Sequence, residues 1–296
     1  MTNVAGKDVT DELFDVLGYD HSNKKVKIGA LAENTHPQIR DKIEDMLEER
    51  VGFSETEAKK VVDKSWMDTP EDMKVKMTGD VHDMFERLKA SGVKIAICTS
   101  DSREGTHSFL ESQNLEGLVD IIMCGDDAHG KPKPNPHNAN YICQKLGVKP
   151  SETIMVGDTP ADTLMGQHAD LGLTVGVLTG VGDKDDLIDA DVIVHDVAEL
   201  VELILPESIQ QNKPELSGGR IHQVTTRGIS KIARGAMWAH MVAGRSGSGL
   251  SGGQSSSRAF STSANANGGG DLSHVIVGAG SAGCVLANRL TEERSE

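Results

Sequence analysis

The organisation of this chain turns on Ile154-Met155-Val156-Gly157-Asp158-Thr159-Pro160-Ala161-Asp162. An apolar run passes through one glycine and one acid straight into Thr-Pro-Ala-Asp, a helix start with Thr as N-cap and Pro in the first turn. A strand that hands over to a helix in this way is half of a βαβ unit. Reading outward, the same alternation repeats on both sides. Upstream lie helix Val81–Ala90, strand 93–98, a helix near Thr106–Gln113, the apolar run Val119–Cys124 and helix Asn138–Leu146. Downstream lie helix Pro160–Ala169, strand Thr174–Leu178, the run Val192–Val194 and a last helix at Ala198–Leu205. Strands that are apolar throughout and alternate with amphipathic helices predict a parallel sheet covered on both faces.

In such sheets the chemistry sits beyond the carboxyl ends of the strands. Three polar clusters fall there: Thr99-Ser100, Gly130-Lys131-Pro132-Lys133-Pro134-Asn135-Pro136, and Gly157-Asp158-Thr159-Pro160-Ala161-Asp162. Each has an ordinary structural reading as a loop, a solvated lysine or a helix cap. Their order and spacing together favour chemistry. Carboxylates are hard oxygen ligands for Mg²⁺, while a hydroxyl and an ammonium suit phosphate oxygens.

Over roughly residues 8–205 these clusters resemble the haloacid dehalogenase-like (HAD) hydrolase family, phosphoglycolate-phosphatase type. The resemblance makes Thr99 the strand-terminal hydroxyl of the second motif and Lys133 the lysine of the third, in Lys133-Pro134-Asn135-Pro136, with Lys131 as second choice. It makes Asp158 and Asp162 the metal-binding acids of the fourth. It implies a Rossmann-like core, a Mg²⁺ cofactor and a small phosphorylated metabolite as substrate. The family's first motif, a strand ending in D-x-D-G-T whose first Asp is the nucleophile and second the acid/base, is not found before residue 93. Asp8, Asp11 and Asp15 are candidates by type only, and their setting is helical. The resemblance therefore predicts a core that lacks its central strand, with a catalytic set of Thr99 and Lys133 and no nucleophile.

Residues 1–78 read as a helical cap domain. Ile39, Ile43, Met46, Leu47 and Val51 recur at helical spacing, Ser54-Glu55-Thr56-Glu57 is a capping box, and Asp11–Leu17 predicts a shorter helix. No buried strand is expected there. The four cysteines form no C-x-x-C pair and lie mostly in apolar runs, so they predict core thiols in a reducing compartment. A net charge of -15 argues against a nucleic-acid partner. No apolar run approaches the about 20 residues of a transmembrane helix, and the cytoplasm is the expected location.

Composition changes near residue 206. Leu216–Gly270 contains no Asp or Glu, is rich in Gly and Ser, and carries Arg220, Arg227, Lys231, Arg234, Arg245 and Arg258. Residues 206–270 are expected to be a disordered linker that resembles a mitochondrial presequence but targets nothing from an internal position. Then His274-Val275-Ile276-Val277-Gly278-Ala279-Gly280-Ser281-Ala282-Gly283 places a G-x-G-x-x-G run after an apolar strand. Residues Leu272–Glu293 resemble the FAD-binding start of a glucose–methanol–choline (GMC) oxidoreductase, choline dehydrogenase in particular. That resemblance makes Gly278, Gly280 and Gly283 the pyrophosphate-binding glycines, in an isolated βα unit at 271–296 that cannot hold FAD alone. The alternative is that strand His274–Val277, apolar and parallel-sheet in type, slots into the gap in the HAD sheet, although its Gly278 turn brings no nucleophile. The leading expectation is thus a HAD phosphatase module, residues 79–205 under the cap, with hydrolysis impaired and a flavoenzyme fragment fused behind it. The alternatives are a non-catalytic phosphate- and Mg²⁺-binding protein, and the opening part of a GMC-type oxidoreductase acting on CH–OH donors.

Overall fold

The computed structural model describes residues 3–4, 7–66 and 80–197, positions 199 and 204, and the strands at 223–224 and 274–279. The N-terminal part begins with β1 (Asn3–Val4) and β2 (Lys7–Asp8), which pair antiparallel, followed by α1 (Thr10–Leu17). A second small ladder joins β3 (Tyr19–Asp20) to β4 (Lys25–Val26), and α2 (Ala30–Glu33), α3 (His36–Met46) and α4 (Glu55–Ser65) follow. The four two-residue strands correct the expectation of an all-helical segment; they are too short to leave a period-two pattern in the sequence. Helix α3 starts three residues before Ile39, the first residue of the expected helical spacing. Its cap is Thr35, whose backbone N–H donates to Gln38 Oε1 at 2.9 Å. Its last turn, Leu47–Val51, widens into a π turn and stops at Gly52, where φ is +83°. The capping box at Ser54 and Glu57 forms as expected, and Trp66 stands just beyond α4 in extended backbone. Leu13, Leu17, Ile39, Ile43, Met46, Leu47 and Val62 make a separate hydrophobic core for this part.

The rest alternates as the sequence predicts, through α5 (Val81–Ala90), β5 (Lys94–Thr99), α6 (Arg103–Ser112), β6 (Ile121–Met123), α7 (His137–Leu146), β7 (Thr153–Gly157), α8 (Pro160–His168), β8 (Leu173–Val177) and β9 (Val192–Val194). Helix α6 begins three residues earlier than expected because Ser102 caps it, accepting from the Gly105 N–H at 3.2 Å. Of the last expected helix only positions 199 and 204 are described, and both are helical. The strand faces divide cleanly, as period-two geometry requires. Ile95, Ile97, Ile154 and Val156 meet Met84, Phe85 and Leu88 of α5 and Leu110 of α6 on one side. Ala96, Cys98 and Met155 meet Ile142 and Cys143 of α7 and Met165 of α8 on the other. Full burial of each large aliphatic side chain contributes about 1.5–3 kcal/mol, which is why strands covered on both faces carry no polar alternation.

Two further strands complete the sheet, β10 (Gln223–Val224) and β11 (His274–Ala279), and its order is β10-β9-β8-β7-β11-β5-β6. All pairs are parallel except β10 with β9. Strand β11 therefore lies at the centre. His274 through Ala279 pair with Lys94 through Thr99 of β5, and His274 through Val277 pair with Thr153 through Val156 of β7. This corrects the expectations of a sheet left open at its middle and of an isolated C-terminal strand, and it is the alternative, His274–Val277 in the gap, that is observed. The physical reason is the one that made a gap costly. Unpaired ladders on β5 and β7 would leave buried N–H and C=O groups without partners, and an apolar strand from elsewhere in the chain satisfies both. Strand β10 likewise gives two residues of the expected linker, Gln223 and Val224, a place in the sheet. The remainder of 206–270, with its presequence-like tract, lies outside the described residues, as do Gly280 and Gly283.

Candidate active site

The carboxyl edge of the sheet gathers the residues that the sequence singles out. Thr99 closes β5, is buried, and accepts the Asp101 N–H on Oγ1 at 3.0 Å. Lys133 reaches in from the loop before α7, and its ammonium meets Asp162 Oδ1 at 2.6 Å, with side-chain exposures of 5% and 1%. Burial works against the Lys133 charge, but the neighbouring Asp162 and Asp158 carboxylates outweigh it and hold its pKa above the ordinary lysine value. Lys131 is exposed, and its backbone instead forms a two-bond clamp with Asn138 at 2.9 Å each way, which fixes the loop. It is Lys133, not Lys131, that pairs with Asp162. Thr99, Ser100, Lys131 and Lys133 line one small pocket together with Thr35 and Gly125.

Asp158 and Asp162 stand at the β7–α8 junction. Asp162 also accepts the Thr159 hydroxyl on Oδ2 at 2.8 Å, so the helix-start reading and the site reading describe the same residue. Asp158 accepts the Val181 N–H on Oδ2 at 2.8 Å, and its carbonyl takes the Gly182 N–H at 2.9 Å. Two glycines make this packing possible. A Cβ at Gly157 would collide with the Asp162 side chain, and one at Gly180 with the Asp158 carboxylate. Burial, and then the Asp162 charge, push Asp158 up to about 6. Two buried carboxylates facing one ammonium leave negative charge unbalanced, which is the electrostatic condition for holding a cation. Among the described residues no three of His, Cys, Asp and Glu converge. The donor set thus fits a hard divalent ion that takes one or two carboxylates and completes its shell with water and phosphate, the habit of Mg²⁺.

The sequence reading missed the contribution of residues 33–36. Glu33 Oε1 accepts the Ala161 N–H at 3.2 Å in the first turn of α8, and the Glu33 carbonyl accepts the Ser100 hydroxyl at 3.1 Å. Half-burial, followed by the Asp162 charge, raises the Glu33 pKa despite the bond from Ala161. His36 Nε2 lies 3.3 Å from Asp101 Oδ1. The helical N-terminal part is thereby tied to the ends of β5 and β7 at the pocket itself. The only sequence cue was the Thr35/Gln38 capping box, because a four-residue helix has no periodicity to read.

The first-motif candidates do not join this group. Asp8 accepts the Thr10 N–H at 3.0 Å just before α1, and Asp11 and Asp15 are exposed on α1. Cys98, Cys124 and Cys143 are buried and unbridged, and burial pushes the Cys124 thiol up to about 11, which suits core packing rather than nucleophilic work. Cys284 lies outside the described residues.

The sequence matches the haloacid dehalogenase-like hydrolases over residues 4–175, more than half its length, and the chain belongs to that family. It is similar to validoxylamine A 7'-phosphate phosphatase of Streptomyces hygroscopicus subsp. limoneus, 31% identical over 130 residues, covering 44% of this chain and 60% of the relative. It is 30% identical over 127 residues to the pyrophosphatase PpaX of Oceanobacillus iheyensis, covering 42% and 58%. Against the phosphoglycolate phosphatase of Aquifex aeolicus it is 35% identical over 85 residues, 29% and 39% of the two chains. The chain thus spans 60% or less of the length of these curated relatives. A predicted phosphoglycolate phosphatase from Haemophilus somnus superposes with a TM-score of 0.52 at 16% identity, over 66% of this chain and 88% of that one, which establishes a shared fold.

Proposed function

We propose that this chain is a HAD-type module that binds a small phosphorylated molecule with Mg²⁺ and hydrolyses it poorly. The observation that carries the reading is the composition of one sheet edge. Thr99, Lys133, Asp158 and Asp162 gather there, while the strand between β5 and β7 ends in Gly278-Ala279 and brings no acid. The Thr99 hydroxyl and the Lys133 ammonium engage phosphate oxygens. An ammonium has three donors, so Lys133 can keep Asp162 in place and still meet the ligand. Asp158 and Asp162 hold the Mg²⁺, which supplies charge neutralisation to the phosphate when bound. Covalent phosphoryl transfer needs a carboxylate in line with phosphorus, and the central strand does not provide one. General acid/base help, worth about 10²- to 10⁴-fold, is missing for the same reason.

The C-terminal strand, of GMC type by its wording, serves the HAD sheet rather than a flavin. Both its edges are taken by β5 and β7, so it has no free edge for the neighbouring strands of a dinucleotide-binding fold. Among the described residues no helix is long and apolar enough to cross a membrane, and a cytoplasmic site of action fits the unbridged core thiols. The test is equilibrium binding of inorganic phosphate with and without Mg²⁺. Binding should depend on Mg²⁺, weaken at least tenfold in Lys133→Ala, and lose its Mg²⁺ dependence in Asp158→Ala. Phosphate binding indifferent to both substitutions would overturn the assignment.

A further inference from the structure

The small pocket beside Thr99 has a one-sided lining. Its charged members are Lys131 and Lys133, and no Asp or Glu among the described residues lines it. The two lysines are held differently. The Lys133 ammonium is buried against Asp162 at 2.6 Å. The Lys131 ammonium forms no ion pair among the described residues, while its main chain is fixed. The Lys131 N–H donates to Asn138 Oδ1 and its carbonyl accepts from Asn138 Nδ2, and Asn138 is itself buried. Pro132 disfavours helical backbone at the same residue. The free space of the pocket is about 10 Å³, room for about one water. A phosphoryl group is larger, so one held by Thr99 and Lys133 reaches out to the mouth, where Lys131 and Pro132 are the exposed lining residues.

We propose, on the phosphate-binding reading above, that Lys131 is a second ligand-contacting cation, which closes over the doubly charged phosphoryl group at the pocket mouth. Lys133 is outnumbered by the neighbouring Asp158 and Asp162, so its charge is already committed when the ligand arrives. A divalent ion on the two carboxylates turns the site positive by one charge, and a phosphate dianion then turns it negative by one. Lys131 supplies the missing positive charge. A flexible lysine on a fixed main chain suits that task, because its strongly hydrated ammonium stays in water until the anion is there to meet it. Coulomb attraction scales with ligand charge. A dianionic phosphate monoester therefore gains more from Lys131 than a singly charged phosphodiester does.

Calorimetric titration of the full chain with inorganic phosphate and with Mg²⁺ tests this. At low salt with Mg²⁺ present, Lys131→Gln should bind phosphate about tenfold more weakly than the wild type, the effect of losing one charge beside the anion. The deficit should shrink at about 1 M salt, where the Debye length is about 3 Å. Lys131→Arg keeps the charge and should bind within about threefold of the wild type. Mg²⁺ affinity measured without phosphate should not fall in Lys131→Gln, and its thermal midpoint should match that of the wild type. A phosphate affinity equal to the wild type's in Lys131→Gln would overturn the inference and leave Mg²⁺-dependent binding through Lys133 and Asp158 standing. So would an Arg variant as weak as the Gln variant. Loss of Mg²⁺ affinity and thermal stability along with phosphate would make Lys131 a structural residue and overturn the inference too. A wild type that binds no phosphate in the presence of Mg²⁺ would overturn the phosphate-binding reading itself, and the role of Lys131 with it.

Discussion

Replacing Asp158 by Asn should make the metal-free protein more stable, while removing the function that the residue serves. Asp158 is 8% exposed, and burial together with the neighbouring Asp162 charge pushes its carboxyl up from the ordinary 3.8 to about 6. A pKa raised on folding means that the ionised carboxyl opposes the folded state. This contribution is nil below the unfolded value of 3.8, grows as pH rises through the interval, and is complete above 6. At about 1.4 kcal/mol per tenfold change, the full effect is about 3 kcal/mol. Asn keeps an oxygen for the Val181 N–H and carries no charge, so Asp158→Asn should gain about 1–3 kcal/mol at pH 8 and little or nothing at pH 4. Urea denaturation at the two pH values, without divalent ions, measures the difference. Adding Mg²⁺ should then raise the wild-type midpoint and leave the variant unmoved. A variant that is less stable than the wild type at pH 8, with the same loss at pH 4, would show that the carboxylate is structural and would refute the reasoning.

Other perturbations follow from the packing and the loops. Leu47→Ala empties a fully buried position in the N-terminal core and should cost about 2–5 kcal/mol in thermal or urea unfolding. Gly180→Ala places a methyl against the Asp158 carboxylate, so Mg²⁺ affinity should drop at least tenfold in a calorimetric titration while the far-ultraviolet spectrum is kept. Lys133→Met leaves Asp162 and Asp158 buried without their cation; stability at pH 7 should fall by about 3–5 kcal/mol, and the loss should shrink towards pH 5 as the Asp158 carboxyl takes up its proton.

Much of the core was legible because it rests on local patterns. Ile95 and Ile97 face one layer and Ala96 and Cys98 the other, so an unbroken apolar run announced a strand buried on both sides. The position of Asp162 followed from its place three residues into a helix that starts at a strand end, while Lys133 was preferred to Lys131 only through the family resemblance, since a lysine in a Pro-rich loop by itself reads as solvated. Glu33 was not legible, since its bond to the Ala161 N–H spans two parts of the chain and its helix has four residues. Strand neighbours were the hardest to foresee. His274–Ala279 is visibly a strand in the sequence, and the missing central strand made the gap between β5 and β7 one place for it, but choosing that place over an isolated βα unit depends on the ladders of the whole sheet.

The most direct test of the central claim is phosphomonoester hydrolysis by the full chain with and without acids at the end of its central strand. Ala279 is paired with Thr99 at the edge where Asp158 and Lys133 also stand. The double substitution Ala279→Asp and Ser281→Asp writes a D-x-D pattern at that place. With p-nitrophenyl phosphate and Mg²⁺, the account predicts turnover at least a hundredfold higher in the double variant than in the native chain, abolished again by Asp158→Ala. Robust Mg²⁺-dependent turnover by the native chain, undiminished when Ala279 and Ser281 are changed, would contradict it and show that the nucleophile stands elsewhere.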